Sequence, residues 1–247
     1  MGISQPYHRI CRPFSDGYYS GHDRYIDSPE YAVSPESSIR AFLLIQKDLL
    51  TLFDYVEPSD INLKSYSYRI NELIIRACIE IEANCKSILI ENGYHKNPND
   101  FSMSDYQKIN TSHRLSSYKA VIPYWTGKKT VRSPYSSWKK NKPLKWYQTY
   151  NTIKHSRHKF FNLANLDTAL DSICGLLIIL SSQFYTHDFS SSPVLLSISG
   201  PVDGSETAIG DYFRIFFPTD WPKRLRYNFD WANLPEVERA FQNYDYN

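Results

Sequence analysis

The sequence predicts a mainly α protein, a helical bundle with an irregular N-terminal arm and a C-terminal extension that contains a little β-structure. Long segments between residues 34 and 190 repeat apolar residues at helical spacing, whereas the first 33 residues show no periodicity. After residue 190, prolines separate short apolar pieces. With 247 residues, 42% of them hydrophobic, the chain can bury a core without disulfides or metal. We therefore expect an arm (1–33), a bundle (34–190) and an extension (191–247) packed on it.

Two long helices are predicted in the first half of the bundle. Ser34 suits the N-cap and Pro35 the first helical position, and the apolar pattern runs until Pro58, so the first helix should span about 35 to 56. The second carries one broad apolar stripe from Ile70 onwards and should end at Gly93.

The middle of the chain is more irregular in pattern. A short helix is expected near Ser104, followed by an extended apolar segment from residue 118 to 125. Glycine, proline and serine then predict a long loop over 126–143.

Two further helices complete the predicted bundle. The fourth should run from Leu144 to about Phe160, and Asn165 suits the N-cap of a fifth, LDTALDSICGLLIILSSQFY, which is apolar nearly all round and should lie at the centre of the core. Its apolar run is far shorter than the roughly 18 residues of a membrane span, so we expect no membrane partner. The later pieces VLLSIS and YFRIFF predict a strand or two, and GSETAIG a turn.

Cysteine usage and the first residues indicate the compartment. The opening MGISQPYHRI has no signal-peptide pattern. Three of the four cysteines (Cys78, Cys85 and Cys174) fall in apolar helical patterns, and no CxxC spacing occurs. We expect reduced thiols in a cytoplasmic protein.

Charge is distributed very unevenly along the chain. Residues 106–166 contain no Asp or Glu but thirteen Lys and Arg, which leaves fifteen cations elsewhere against all 26 acids, so the segment carries +13 and the remainder −11. We call residues 106–166 the basic block. A split of this size predicts an anionic partner.

The fourth predicted helix, LKWYQTYNTIKHSRHKFFN, concentrates candidate chemistry. Asn151, Lys154, His155 and His158 stand at i, i+3, i+4 and i+7 and should share one face. An amide, an ammonium group and two imidazoles in that arrangement could bind a phosphate and move a proton. The alternative is an ordinary solvated helix face, although such faces usually mix both signs of charge.

A family resemblance rests on these residues. The chain has a long predicted helix with an embedded acidic pair (RACIEIEANCK, with Glu80 and Glu82). A basic helix with the N-xxx-H pattern of Asn151 and His155 follows, and then an apolar helix. This order of helices resembles the HEPN superfamily over about residues 65–186. The resemblance implies a helical bundle, often homodimeric. It also implies a metal-independent ribonuclease of bacterial stress response, toxin–antitoxin or phage defence systems, or a non-catalytic dimerisation or binding module.

The resemblance also assigns roles to residues. In the family signature an Arg precedes the polar residue and the His; here Tyr150 occupies the place of that arginine. By this resemblance His155 would act in proton transfer at an RNA 2′-hydroxyl, and Lys154 or Arg157 would neutralise the phosphate. The predicted catalytic residues are Asn151, Lys154, His155 and Arg157.

Aromatic residues interleave with the cations of the basic block, as in proteins that hold single-stranded nucleic acid. Trp146, Tyr150 and Ile153 fit the buried face of the fourth helix, whereas Tyr135 and Trp138 in the predicted loop are candidate contacts. The predicted binding residues are Lys128, Lys129, Arg132, Tyr135, Trp138, Lys139, Lys140, Lys142, Lys145 and His158.

No cofactor or metal is expected. His155 and His158 lack acidic neighbours and any HExxH pattern, and the chain has no Walker loop, GxGxxG or GxSxG motif. Three interpretations stay open: an RNA or polyanion binder with nuclease activity, a non-catalytic module that binds itself, a protein or a nucleotide, and a structural protein. In the last, acidic residues of the extension would neutralise the basic block; these are Asp211, Asp220, Asp230, Glu236 and Glu238.

Overall fold

A computed structural model describes residues 2–189, 204–234 and 239–247, and five α-helices and four short strands lie within them. The helices are α1 (Pro35–Phe53), α2 (Tyr68–Glu91), α3 (Met103–His113), α4 (Lys145–Phe160) and α5 (Leu166–Phe184). The strands are β1 (Lys119–Val121), β2 (Val131–Arg132), β3 (Glu206–Thr207) and β4 (Arg214–Phe216). The predicted mainly α class with a little β-structure is confirmed.

Helix α5 forms the centre of the core, as its all-round apolar pattern predicts. Every residue from Ser172 to Phe184 is buried. Tyr66, just before α2, pairs with Asn165, just before α5, and the Gln183 amide near the end of α5 donates to Asn84 on α2, so the two helices run parallel. Among the described residues, α5 alone is long and apolar enough to cross a membrane, but 83% of it is buried inside the protein. The other elements thus cover its apolar surface and remove it from water.

Helix ends follow local sequence signals with small differences. Pro35 opens α1 as predicted, but the Ser34 side chain makes no capping hydrogen bond, and α1 ends at Phe53, short of residue 56. Asn165 caps α5 as predicted by accepting a hydrogen bond from the Thr168 amide. Helix α2 ends two residues before Gly93, which adopts a left-handed φ of 72°.

The strands form one antiparallel sheet in the order β2-β1-β4-β3. Its central pair joins the basic block to the C-terminal extension, with Ala120 opposite Ile215. Strand β4 lies in YFRIFF as predicted, whereas VLLSIS lies outside the described residues. The segment predicted as a loop over 126–143 contains β2 and a 3-10 helix, Ser136–Lys140.

The N-terminal arm is irregular apart from the 3-10 helix Asp23–Asp27, but much of it is buried. The Cys11 amide donates to the Ser182 carbonyl of α5 at 3.0 Å, and the Tyr31 hydroxyl donates to the Gln183 carbonyl at 2.5 Å. The Arg12 guanidinium is enclosed by rings from the arm and the extension. The arm is therefore part of the core, because its aromatic and aliphatic residues fill the space beside the end of α5.

Candidate nucleic-acid interface

Few cations of the basic block are neutralised inside the molecule. Within the described ranges, only Arg114 and Arg132 of its thirteen cations form ion pairs, Arg114 with Asp220 at 2.7 Å and Arg132 with Asp167 at 2.6 Å. Asp230 instead accepts hydrogen bonds from the amide of Ala232 and the side chain of Asn233.

The predicted shielding by the acidic extension is therefore limited to Asp220 in the part of the chain that the structure describes. Asp211 forms no ion pair there, and Glu236 and Glu238 lie outside that part. The remaining cations of the block form no ion pair in that part, although Asp60 lies near Lys129 and Glu82 near Lys154, so direct contacts neutralise little of its positive charge.

Helix α4 carries the predicted division between a buried and an exposed face. Trp146, Tyr150 and Ile153 are buried, which confirms that stripe as part of the core. Lys145, Asn151, Lys154 and His155 are exposed on the other side. The helix thus presents its polar residues to solvent because its aromatic residues pack on α2 and α5.

A kink at Ser156 corrects one part of the predicted face. Ser156 has φ −140° and ψ 39°, which is not helical, so the regular first part of α4 ends there. Asn151, Lys154 and His155 share the predicted face, but His158 follows the kink and no longer stands at i+7 on one continuous helix. The spacing argument was wrong for His158 because it assumed an unbroken helix. Arg157 and His158 are exposed after the kink.

The two helices of the HEPN resemblance meet through tyrosines. The Tyr147 hydroxyl donates to the Glu82 carboxylate at 2.8 Å, and the Lys154 ammonium lies 5.3 Å from the centre of the Tyr150 ring. Burial and the nearby Glu82 raise the pKa of Tyr150, and a hydrogen bond with that hydroxyl raises the pKa of Lys154. Tyr150 is therefore a neutral phenol that is only 1% exposed, and Lys154 is the charged group presented nearby.

A turn between β1 and β2 presents Lys128 and Lys129, and we call it the lysine turn (residues 126–130). Asp60 holds it by accepting hydrogen bonds from the Trp125 indole N–H at 2.7 Å and from the amides of Lys128 at 2.7 Å and Lys129 at 3.1 Å. These bonds, with that of Trp125 the largest, lower the pKa of Asp60. Gly127 has φ 130°, and a Cβ atom there would overlap the Asp60 carboxylate. Both lysine side chains remain exposed.

Three predicted binding residues are buried, so their prediction as surface contacts was wrong. Arg132 lies between Asp167 and Asp171 of α5 and forms an ion pair with each of them. Tyr135 donates its hydroxyl to the Gly175 carbonyl at 3.1 Å, and Trp138 packs against the Tyr135 ring. Their segment, predicted as an open loop, instead folds onto α5, because Tyr135 fits beside Gly175 and Trp138 packs on Tyr135.

The other predicted cations form two groups along α4. Lys139, Lys140, Lys142 and Lys145 are exposed around its start, and Lys154 and Arg157 are exposed around its end. Lys145 and Lys154 are nine residues apart, which separates them by about 14 Å along the axis of a regular helix and by about half a turn around it. A polyanion that contacts both groups must therefore pass around the helix as well as along it.

The structure also reveals an aromatic cluster that the sequence reasoning missed. The Tyr66 and Tyr68 rings pack on the Phe161 ring, with centroid distances of 5.5 and 4.7 Å, and the Arg157 guanidinium lies 5.6 Å from the centre of the Tyr68 ring. Both tyrosines are more than half exposed. The alternating aromatic and basic pattern of LKSYSYR, residues 63–69, was the available signal, but it lies outside the basic block.

Comparisons with protein-family models, curated proteins and solved structures gave no match. The resemblance to the HEPN superfamily therefore stays a prediction from the residues. No group of three or more His, Cys, Asp or Glu arranged to hold a metal ion occurs among the described residues.

Proposed function

We propose that this protein binds RNA or another polyanion through the exposed face of α4 and the lysine turn. One observation carries the proposal: eleven of the thirteen cations of the basic block form no ion pair within the described residues. Phosphate contacts by Lys and Arg release counterions and supply most of the free energy of non-specific nucleic-acid binding. We place the protein in the cytoplasm, consistent with four free and buried cysteines.

Charge-removal variants test this proposal. We expect Lys154→Gln combined with Arg157→Gln to weaken binding to single-stranded RNA and to reduce the slope of log K against log salt, by about 0.7 for each phosphate that is no longer neutralised. Arg40→Gln combined with Lys47→Gln removes the same charge from the exposed side of α1 and serves as the matched control. Equal losses in the two pairs would show that net charge alone acts, and no RNA binding by the wild type at low salt would refute the proposal.

We extend the proposal to RNA cleavage, following the HEPN resemblance. His155 would take the proton of a 2′-hydroxyl, whose oxygen then attacks the adjacent phosphorus and displaces the 5′-oxygen, while Lys154 or Arg157 neutralises the phosphate. The departing 5′-oxygen takes a proton from water, so the products carry a 2′,3′-cyclic phosphate and a 5′-hydroxyl. The exposed Asn151 and His155, one turn apart on α4, support this reading. Two copies of α4 facing each other in a homodimer would build the cleft that the family resemblance implies.

Cleavage is tested with mixed structured and single-stranded RNA in EDTA. We expect activity in the wild type, its loss in His155→Ala, and its retention in His95→Ala, which removes another exposed histidine. Binding without cleavage in the wild type would leave a non-catalytic nucleic-acid module. Activity that survives in His155→Ala would exclude His155 from the chemistry.

A second candidate function is self-association through α2. Ile79 and Ile90 are 50% and 48% exposed, and the exposed Ala83 lies between them at i+4 from Ile79, so one face of α2 carries three uncovered apolar residues, with Lys86 between Ala83 and Ile90. A second copy of the chain is the occupant we propose. Sedimentation analysis should give a dimer for the wild type and a monomer for Ile79→Glu, whereas Leu44→Glu on α1 serves as a control of similar exposure. A monomeric wild type would exclude this candidate.

A further inference from the structure

We propose that Tyr66 and Tyr68 form a stacking platform for the bases of single-stranded nucleic acid, with Arg157 placed to contact the backbone phosphates. This inference rests on the proposed function and names the form of polyanion that the surface selects. Neither tyrosine belongs to the basic block from which the binding function was predicted. The platform adds recognition of bases to a surface that otherwise recognises only charge.

The geometry leaves part of each tyrosine ring accessible to a ligand. Tyr66 is 53% and Tyr68 63% exposed, whereas Phe161 beneath them is half-buried and packs against the core. The Tyr66 ring meets Phe161 edge-on, at 88° between the planes, and the Tyr68 ring is tilted from it by 39°. Phe161 thus supports both tyrosines, Arg157 also contacts the Tyr68 ring, and more than half of each tyrosine remains exposed to a ligand.

The backbone of the platform is fixed before any ligand arrives. The Leu166 amide of α5 donates to the Ser65 carbonyl at 2.9 Å, and Tyr66 pairs with Asn165. The Ser67 hydroxyl caps α2 by accepting a hydrogen bond from the Ile70 amide at 3.2 Å, which places Tyr68 at the first helical position. Because the backbone is already fixed, only the side-chain torsions of the two tyrosines lose conformational entropy on binding, so more of the stacking free energy appears as affinity.

The charges around the platform favour binding of a nucleic-acid phosphate backbone. Arg157 lies over the Tyr68 ring and forms no ion pair within the described ranges. Lys64 and Lys159 are exposed on the adjoining segments. Glu72, one turn after Tyr68 on α2, is paired with Arg69 at 3.0 Å. Asp167, near the start of α5, is paired with the buried Arg132. An anionic chain that approaches the rings therefore meets neither of these acids as an unpaired carboxylate.

Single strands fit this surface better than duplexes. In a duplex the base faces are stacked on one another, so tyrosine rings cannot reach them, whereas an unpaired base can lie on an aromatic ring. Base–aromatic stacking contributes about tenfold in affinity for each ring, with little dependence on sequence. The expected ligand is an unpaired segment of RNA or DNA.

The test separates bases from charge with three fluorescent probes of equal length: oligo(dT), an abasic oligonucleotide with the same sugar-phosphate backbone, and a duplex. We expect the wild type to bind oligo(dT) more tightly than the other two. Tyr66→Ala combined with Tyr68→Ala should lower oligo(dT) affinity roughly 100-fold and leave affinity for the abasic probe unchanged. Tyr66→Phe combined with Tyr68→Phe should retain wild-type affinity, and Tyr18→Ala, at an exposed tyrosine of the arm, is the matched control.

Each alternative outcome has a distinct meaning. If the wild type binds both the abasic probe and oligo(dT) but the alanine pair weakens neither, or weakens both equally, the platform is overturned while polyanion binding stands. If the wild type binds none of the three probes, the proposed function fails, and the platform fails with it. If an acidic polyglutamate binds as tightly as oligo(dT) and the alanine pair weakens both, the surface serves a protein partner and the inference is wrong.

Discussion

The Asp60 carboxylate accepts a hydrogen bond from the Trp125 indole N–H at 2.7 Å and thereby ties the segment before α2 to the lysine turn. The same carboxylate accepts the amides of Lys128 and Lys129. The conformation of this basic turn thus depends on an acidic residue, which fixes the backbone while the Lys128 and Lys129 side chains stay exposed. The loop is preorganised for a ligand rather than ordered by it.

Asp60→Ala should loosen the lysine turn without unfolding the bundle. Because three N–H groups lose their acceptor, we expect faster amide hydrogen exchange at Lys128 and Lys129, with core amides of α5 unchanged. Asp54→Ala, which removes an exposed acid after α1, is the control. Unchanged exchange at the turn would contradict the role of Asp60.

Tyr135→Phe should lower stability and leave polyanion binding intact. The variant removes the buried hydrogen bond from the Tyr135 hydroxyl to the Gly175 carbonyl, at a cost of about 1 kcal/mol in the free energy of unfolding, while that carbonyl keeps its bond within α5. Urea unfolding and RNA titration of one preparation check both parts. Weaker RNA binding at unchanged stability would mean that Tyr135 acts at the surface after all.

Arg132→Met should lower the free energy of unfolding more than Tyr135→Phe, because it leaves two carboxylates without their ion-pair partner. Asp167 and Asp171 both pair with this buried guanidinium, and burial already raises the pKa of Asp171. Since their side chains are 39% and 32% exposed, we discount the usual cost of a broken buried pair to about 2 kcal/mol of unfolding free energy. Adding Asp171→Asn should recover part of that loss in urea unfolding. A double variant no more stable than Arg132→Met alone would argue against the ion pair as the cause.

His113 should make stability fall in mild acid. Its imidazole is buried, donates through Nε2–H to the Arg9 carbonyl at 2.9 Å, and lies beside Ser112 with Nδ1 2.7 Å from the hydroxyl oxygen. Burial first, and then the charge of Arg12, lowers the pKa of His113 to about 3.

The unfolded chain therefore binds a proton at His113 below about pH 6.5 while the folded protein does not, so this residue's contribution to stability is complete above that pH and is lost as the pH falls towards 3. The free energy of unfolding should drop by about 1.4 kcal/mol per pH unit over that range from this group alone. Urea unfolding of the wild type and His113→Gln at several pH values isolates the effect by difference. Parallel pH profiles would contradict it.

Periodicity predicted the helices well because it reports which side of a helix avoids water. The apolar run of α5 and the stripe of Trp146, Tyr150 and Ile153 are buried as expected. The same reasoning failed at Tyr135 and Trp138, where a Gly-, Pro- and Ser-rich segment looked like an open loop. Tyr135 is buried against Gly175, forty residues away, and Trp138 packs on the Tyr135 ring, and no local pattern encodes these contacts.

The sequence by itself determined the helical class, the five helices and the excess of positive charge, because propensity, spacing and composition are local properties of the chain. Only the tertiary structure decided which of those charges are free. It buried Arg132 against α5, interrupted α4 at Ser156, and brought Tyr68 beside Arg157, residues 89 positions apart. Ion pairing and ring contact depend on distances in space, and those distances follow from how the helices pack.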